Sequence, residues 1–234
     1  GLSHPFEDPL NKDWHSSDTV MSYNVSPDGW NTWFSPIDLN ALISIWGREN
    51  DLGFIKYENT SSQYKYQKSS NGKLFIKTTV GLEDITNIDT LKFSDKSIDV
   101  NQEIIGVFKL LENIDDITGK VYRLYNATFG RFPDKAGLKY WIEKNKSKID
   151  SYRSTAQSFI LSNEFQSLYG SNTTNADYIE SLYTNVLDRE PDQEGFNYWF
   201  DQIESGNEDR SELLMGFSES QENKIIFSSE TSIF

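Results

Sequence analysis

Apolar side chains in the second half of the chain return every three or four positions. Val121, Leu124, Tyr125, Thr128 and Phe129 line one face of a helix, and Ile179, Leu182, Tyr183, Val186 and Leu187 line another. These stripes belong to an internal repeat. Tyr125, Arg131, Pro133, Asp134, Gly137, Tyr140 and Trp141 recur as Tyr183, Arg189, Pro191, Asp192, Gly195, Tyr198 and Trp199, always 58 residues on. Phe159, Ser162 and Glu164 keep the register with Phe217, Ser220 and Glu222, which implies two copies of a unit of about 55 residues.

Within each copy, Pro133 or Pro191 ends the incoming helix and Asp134 or Asp192 caps the next. That next helix carries Leu138, Trp141 and Ile142, or Phe196, Trp199, Phe200 and Ile203. Its glycine, Gly137 or Gly195, is read as the point where another backbone comes close. A third helix is predicted around residues 152–160 and 211–217, and Ser162 with Glu164 marks the start of a short fourth. Arg131 and Arg189 are expected to be partly buried and paired with Glu164 and Glu222.

Between about 52 and 103 the period falls to two. Tyr64 and Tyr66, then Asn71-Gly72, then Leu74 and Ile76 predict a hairpin whose Asn-Gly pair takes positive φ angles. A second hairpin is predicted around Ser94 to Ser97. The stretch up to Pro36 is irregular, and an amphipathic helix follows near Ile37 to Trp46, with Gly47 as its terminator. The expected architecture is α+β and multidomain. Residues 1–50 form an irregular and helical segment, 51–105 a small β module, 106–172 the first helical repeat, and 173–234 the second with a tail. Each repeat reads as a small all-α bundle.

Charge narrows the partners. Against 22 Lys and Arg stand 36 Asp and Glu, and a formal charge of −14 repels a phosphate backbone, so nucleic acid is not an expected partner. Six Trp, 12 Tyr and 15 Phe supply aromatic cores that a disordered chain would lack. Without cysteine there is no disulfide framework and no thiolate zinc site, and only His4 and His15 offer imidazole. No apolar run approaches the ~18 residues of a membrane span. The opening Gly1-Leu2-Ser3-His4 has neither an initiator Met nor a basic-then-apolar leader and reads as an internal start.

Gly1 to His4, followed by Thr19-Val20-Met21-Ser22-Tyr23, resembles the metzincin zinc peptidases. Their motif H-E-x-x-H-x-x-G-x-x-H ends in G-x-x-H, and a Met-containing turn lies beneath the metal. The Tyr two residues after Met21 is similar to that of serralysin and astacin types, and the segment Pro36 to Gly47, ending Ile45-Trp46-Gly47, resembles the helix that follows their Met-turn. The resemblance implies His4 as a zinc ligand, Tyr23 as a labile zinc ligand and transition-state stabiliser, and Met21 as a packing residue under the metal. It further implies a polypeptide substrate, Zn²⁺ as cofactor and secretion to the bacterial surface or beyond. H-E-x-x-H itself does not occur in the chain, so two His ligands and the Glu base are absent and this chain alone is expected to be inactive. A chain that begins just after the missing residues would account for this. The calcium-binding G-G-x-G-x-D repeats of serralysins do not occur either; Asp8, Asp13 and Asp18 have the chemistry to bind Ca²⁺ and equally read as a solvated loop. His15 reads as a surface residue.

The repeats resemble a bacterial domain of unknown function with R-x-P-D-x-x-G-x-x-Y-W, found in surface-layer and haemolysin-like proteins and distantly similar to phycobilisome linker domains. The resemblance spans about residues 118–225, and residues 89–95 look like the β segment that precedes such repeats. It implies attachment, secretion or assembly, with envelope or surface-layer proteins as partners. Two readings stand. One is the C-terminal part of a secreted zinc-dependent endopeptidase; the other is a non-enzymatic cell-surface or extracellular interaction module.

Overall fold

The computed structural model describes residues 53–170 and 172–234. The readings of residues 1–50, with His4, His15, Met21, Tyr23 and the three aspartates, lie outside the described residues. The chain divides into two compact units, residues 1–55 and 56–234. The described residues are α+β, with nine α-helices and two small sheets.

Alternation builds the first sheet. Strand β2 (Lys65–Lys68) pairs antiparallel with β3 (Leu74–Thr78), placing Tyr66 opposite Ile76, and β3 pairs with β4 (Gly81–Asp84). Tyr66, Leu74 and Ile76 are buried, whereas Lys77 points outward. The turn differs from the expected tight pair. Ser69 accepts from the Gly72 N–H, and among the two turn residues only Gly72 takes positive φ, at 84°, while the Asn71 side chain accepts from Ser69 and Lys73. That is a four-residue turn closed by a left-handed glycine, which needs one positive φ rather than two. Strand β1 (Phe54–Lys56) precedes this sheet. The second expected hairpin is present as β5 (Thr90–Lys92) and β6 (Ser97–Asp99), with Leu91 opposite Ile98. From β6 a π-helical stretch, Val100–Ile105, runs into the one-turn helix α1 (Gly106–Phe108).

The two repeats have matching skeletons. The first comprises α2 (Ile117–Phe129), α3 (Lys135–Lys146), α4 (Tyr152–Ile160) and α5 (Asn163–Tyr169). The second comprises α6 (Asn175–Leu187), α7 (Gln193–Glu204), α8 (Arg210–Ser218) and α9 (Gln221–Thr231). Their N-caps obey the same spacing: Asp116 and Thr174, Asp134 and Asp192, Ser151 and Asp209, Ser162 and Ser220 each accept a backbone N–H of the first turn. The short fourth helix is therefore real in both copies, seven residues long in one and eleven in the other.

In space the repeats interlock. Helix α8 of the second repeat packs against α2 and α4 of the first, α2 also touches α6, and α9 reaches β2. Gln67 donates to the Ser229 carbonyl and Ser232 to that of Lys68, which fixes α9 on the sheet. Surrounded in this way, α2 buries residues on all sides, including Tyr122 and Arg123 at 1% exposure.

Candidate functional site

The repeated motif forms a latch. Helix α2 ends at Gly130 and α6 at Asp188, both left-handed (φ 62° and 55°), so the next residue turns back over its own helix. Arg131 then meets Glu164 in a two-pronged pair, Nε to Oε1 at 2.5 Å and Nη2 to Oε2 at 2.9 Å. Its Nη1 donates to the Phe132 carbonyl, and the guanidinium lies 5.7 Å and 5.5 Å from the ring centroids of Tyr125 and Phe129. Arg189 repeats this with Glu222 at 3.0 and 3.2 Å and lies over Tyr183 at 5.0 Å. The expected pairs are thus formed in both copies, but the expected partial burial holds only for Arg131; Arg189 is exposed. Burial opposes the charged Arg131 guanidinium, and Glu164 outweighs it, raising its pKa.

The glycine of the motif has a different reason from the expected one. What comes close to Gly137 and Gly195 is a side chain rather than a backbone: the hydroxyls of Tyr125 and Tyr183 occupy the space where a Cβ would stand. The Tyr125 hydroxyl is pushed up to about 12, first by burial and then by the Asp134 carboxylate. Trp141 packs edge-on to Phe159 at 5.3 Å, as Trp199 packs on Phe217 at 5.5 Å. Each of these motif residues has a structural task.

Beside the first latch lies a cleft of about 630 Å³. The helical side contributes Phe129, Arg131, Phe132, Asp134 and Glu164; the β side contributes Tyr66, Asp95, Lys96, Ile98 and Glu103. Its volume is in the range of small-molecule sites. Asp95 is fixed by Ser61, whose N–H and hydroxyl donate at 2.7 and 2.8 Å; the backbone bond foremost holds its carboxyl below the usual range. Tyr66 is 3% exposed, its ring meets the edge of Phe132 at 4.9 Å, and its hydroxyl has no hydrogen-bond partner. Burial, reinforced by the Asp95 charge, pushes that hydroxyl far above the ordinary tyrosine range and keeps it neutral. Four carboxylates face Arg131 and Lys96, and Arg131 is already held by Glu164. The electrostatics disfavour an anion and favour a neutral or cationic ligand.

Among the described residues no group of three His, Cys, Asp or Glu could hold a metal ion. No described helix is long and apolar enough to cross a membrane. The residues that sequence reasoning missed are Tyr66, Asp95 and Arg123. Tyr66 read as one more alternating strand residue and Asp95 as a turn residue; the cleft arises only where the β module meets the helices.

Residues 156–227 match a family described as a domain of unknown function (DUF4214). A DUF4214 domain is found there. It begins within α4 and ends within α9, so it holds the second latch entire and the first only from the Glu164 side. No metzincin or other peptidase family matches. No curated protein and no solved structure matches the chain.

Proposed function

We propose that the chain is the C-terminal part of a secreted bacterial zinc endopeptidase, in which residues 56–234 form a non-catalytic binding part. On this reading the cleft holds a small neutral ligand rich in hydroxyl groups, of the size of a monosaccharide. The observation that carries the binding role is the cleft itself, an apolar and acidic hollow between the β module and the first latch. A polyol suits it: carboxylates accept from ligand hydroxyls, Lys96 donates, and Phe132 offers an apolar ring. The peptidase role rests on the succession of G-x-x-H, Met21-Ser22-Tyr23 and the Trp46-Gly47 helix end in the sequence.

Two experiments test the two halves. Titrating the full chain with glucose, galactose, mannose and N-acetylglucosamine, followed by NMR, should show saturable shifts at cleft residues with at least one sugar. No saturable sugar, or binding unchanged in Lys96→Ala, discards the cleft reading. The codons preceding residue 1 test the other half. If they spell H-E-x-x-H-x-x, protein made with them should bind one zinc and cleave polypeptides. Any other sequence there removes the peptidase and leaves the alternative, a non-enzymatic cell-surface or extracellular interaction module.

A further inference from the structure

The two repeats agree in motif and disagree in charge. Residues 132–151 of the first carry five lysines and three acidic residues, whereas the equivalent 190–209 carry seven acidic residues and no Lys or Arg. The same two stretches also differ in cover. On α3, Leu138 and Ile142 are 0% and 5% exposed, and α1 packs against that helix. Their counterparts on α7, Phe196 and Phe200, are only half-buried, with rings stacked at 5.8 Å, and α7 has no buried residue.

We infer that the α7 face docks the α3 face of a second copy of this chain. Charge picks this occupant. An α7-to-α7 contact would set Asp201 and Glu204 against themselves, while α3 offers Lys144 and, just past its end, Lys148, which have no carboxylate within ion-pair distance among the described residues. Lys144 lies over the Tyr140 ring at 5.4 Å, and Tyr140 and Ile149, 50% and 67% exposed, supply apolar surface for Phe196 and Phe200. In the other lysine-rich stretch, the β2–β3 hairpin, two lysines are already engaged: Lys73 pairs with Asp84 and Lys77 with Asp188. Because the two faces differ, the contact is head-to-tail and either closes into a ring or runs on as a chain of copies. The inference does not depend on the cleft.

Sedimentation velocity of the full chain over a concentration series tests it. Association should appear in low salt and weaken about tenfold or more as salt screens the charges. Lys144→Glu with Lys148→Glu disables one face, and Phe196→Ser with Phe200→Ser disables the other; each variant alone should sediment as a monomer. Mixed, they should form dimers and nothing larger, since each supplies the face the other lacks. If the phenylalanine variant loses its helical circular dichroism, Asp201→Lys with Glu204→Lys replaces it, and it is mixed with Lys144→Ala, Lys148→Ala so that two reversed faces cannot attract each other. A wild-type chain that stays monomeric in low salt, variants that still assemble, or a mixture that does not pair overturns the inference.

Discussion

Arg123 of the first repeat and Glu219 at the end of the second repeat's α8 lie 2.7 Å apart, with the arginine side chain 1% exposed. The same guanidinium donates to the carbonyls of Ser218 and Ile114 and stands over Phe227 at 5.2 Å. One buried side chain therefore joins α2, the loop before it, the end of α8 and α9. Removing one partner of such a buried pair leaves carbonyls and a carboxylate without their donor. Arg123→Ala should cost about 3–5 kcal/mol in urea unfolding. Arg131→Ala, whose side chain and partner Glu164 are 21% and 41% exposed, should cost clearly less. Equal losses for the two variants would mean that the repeats are not joined through Arg123.

The Tyr125 hydroxyl against Gly137 makes a prediction that only the pair can answer. Gly137→Ala alone should destabilise by about 1–3 kcal/mol, because the new methyl group meets the hydroxyl in a packed site. Tyr125→Phe with Gly137→Ala should recover part of that loss, since the Asp134 carboxylate also stands 2.9 Å from the new methyl group, and the cycle at Tyr183 and Gly195, where Asp192 is 3.2 Å away, should recover more. Additive losses in both cycles would show that something other than the hydroxyl excludes a side chain at these glycines.

Tyr66 and Lys96 line the same cleft and should answer to different measurements. The hydroxyl is buried without a partner, so Tyr66→Phe relieves a desolvated polar group and should leave thermal stability unchanged or raise it by about 1 kcal/mol. Lys96→Ala, by contrast, should weaken sugar binding in the cleft about tenfold, as loss of one hydrogen bond does. A clear fall in the melting temperature of Tyr66→Phe would mean that the hydroxyl is satisfied after all.

The sequence displays local order well and enclosure poorly. Caps, turns and the Arg131–Glu164 pair were legible because each is set within one repeat and written twice, 58 residues apart. Arg123 was not. A charged residue on a helix reads as solvent-facing, and only the arrival of α8 and α9 from a stretch of chain about 90 residues later encloses it. Phe196 and Phe200 fail in the other direction: their spacing says core, but among the described residues no helix packs on α7 as α1 packs on the helix of Leu138. The Asn71-Gly72 signal located its turn and not its type, since loop length, set by the strand register, decides how many positive φ angles are needed.

Two carboxylates of the β module and its helical cover should respond to pH with opposite signs. Glu230 on α9 is half-buried against the sheet, and its pKa is raised: burial wins over the pull of Lys65 and Lys77. A carboxyl raised on folding binds its proton more tightly in the native state, so its contribution is most favourable below the unfolded pKa and is lost as pH rises through the folded value. Asp84 is the reverse. The Thr86 hydroxyl and N–H, and after them Lys73, lower its pKa, so its contribution is present above the unfolded value and lost as pH falls through the folded one. Glu230→Gln should therefore stabilise the protein at pH 7, with the gain vanishing in acid below the ordinary glutamate range. Asp84→Asn should destabilise it modestly at pH 7 and do nothing at the acid end. Urea unfolding of both variants between about pH 3 and pH 8 measures this, on the scale set by ordinary carboxylate titration. If Glu230→Gln destabilises at neutral pH, the lysines outweigh burial and α9 is held to the sheet by charge.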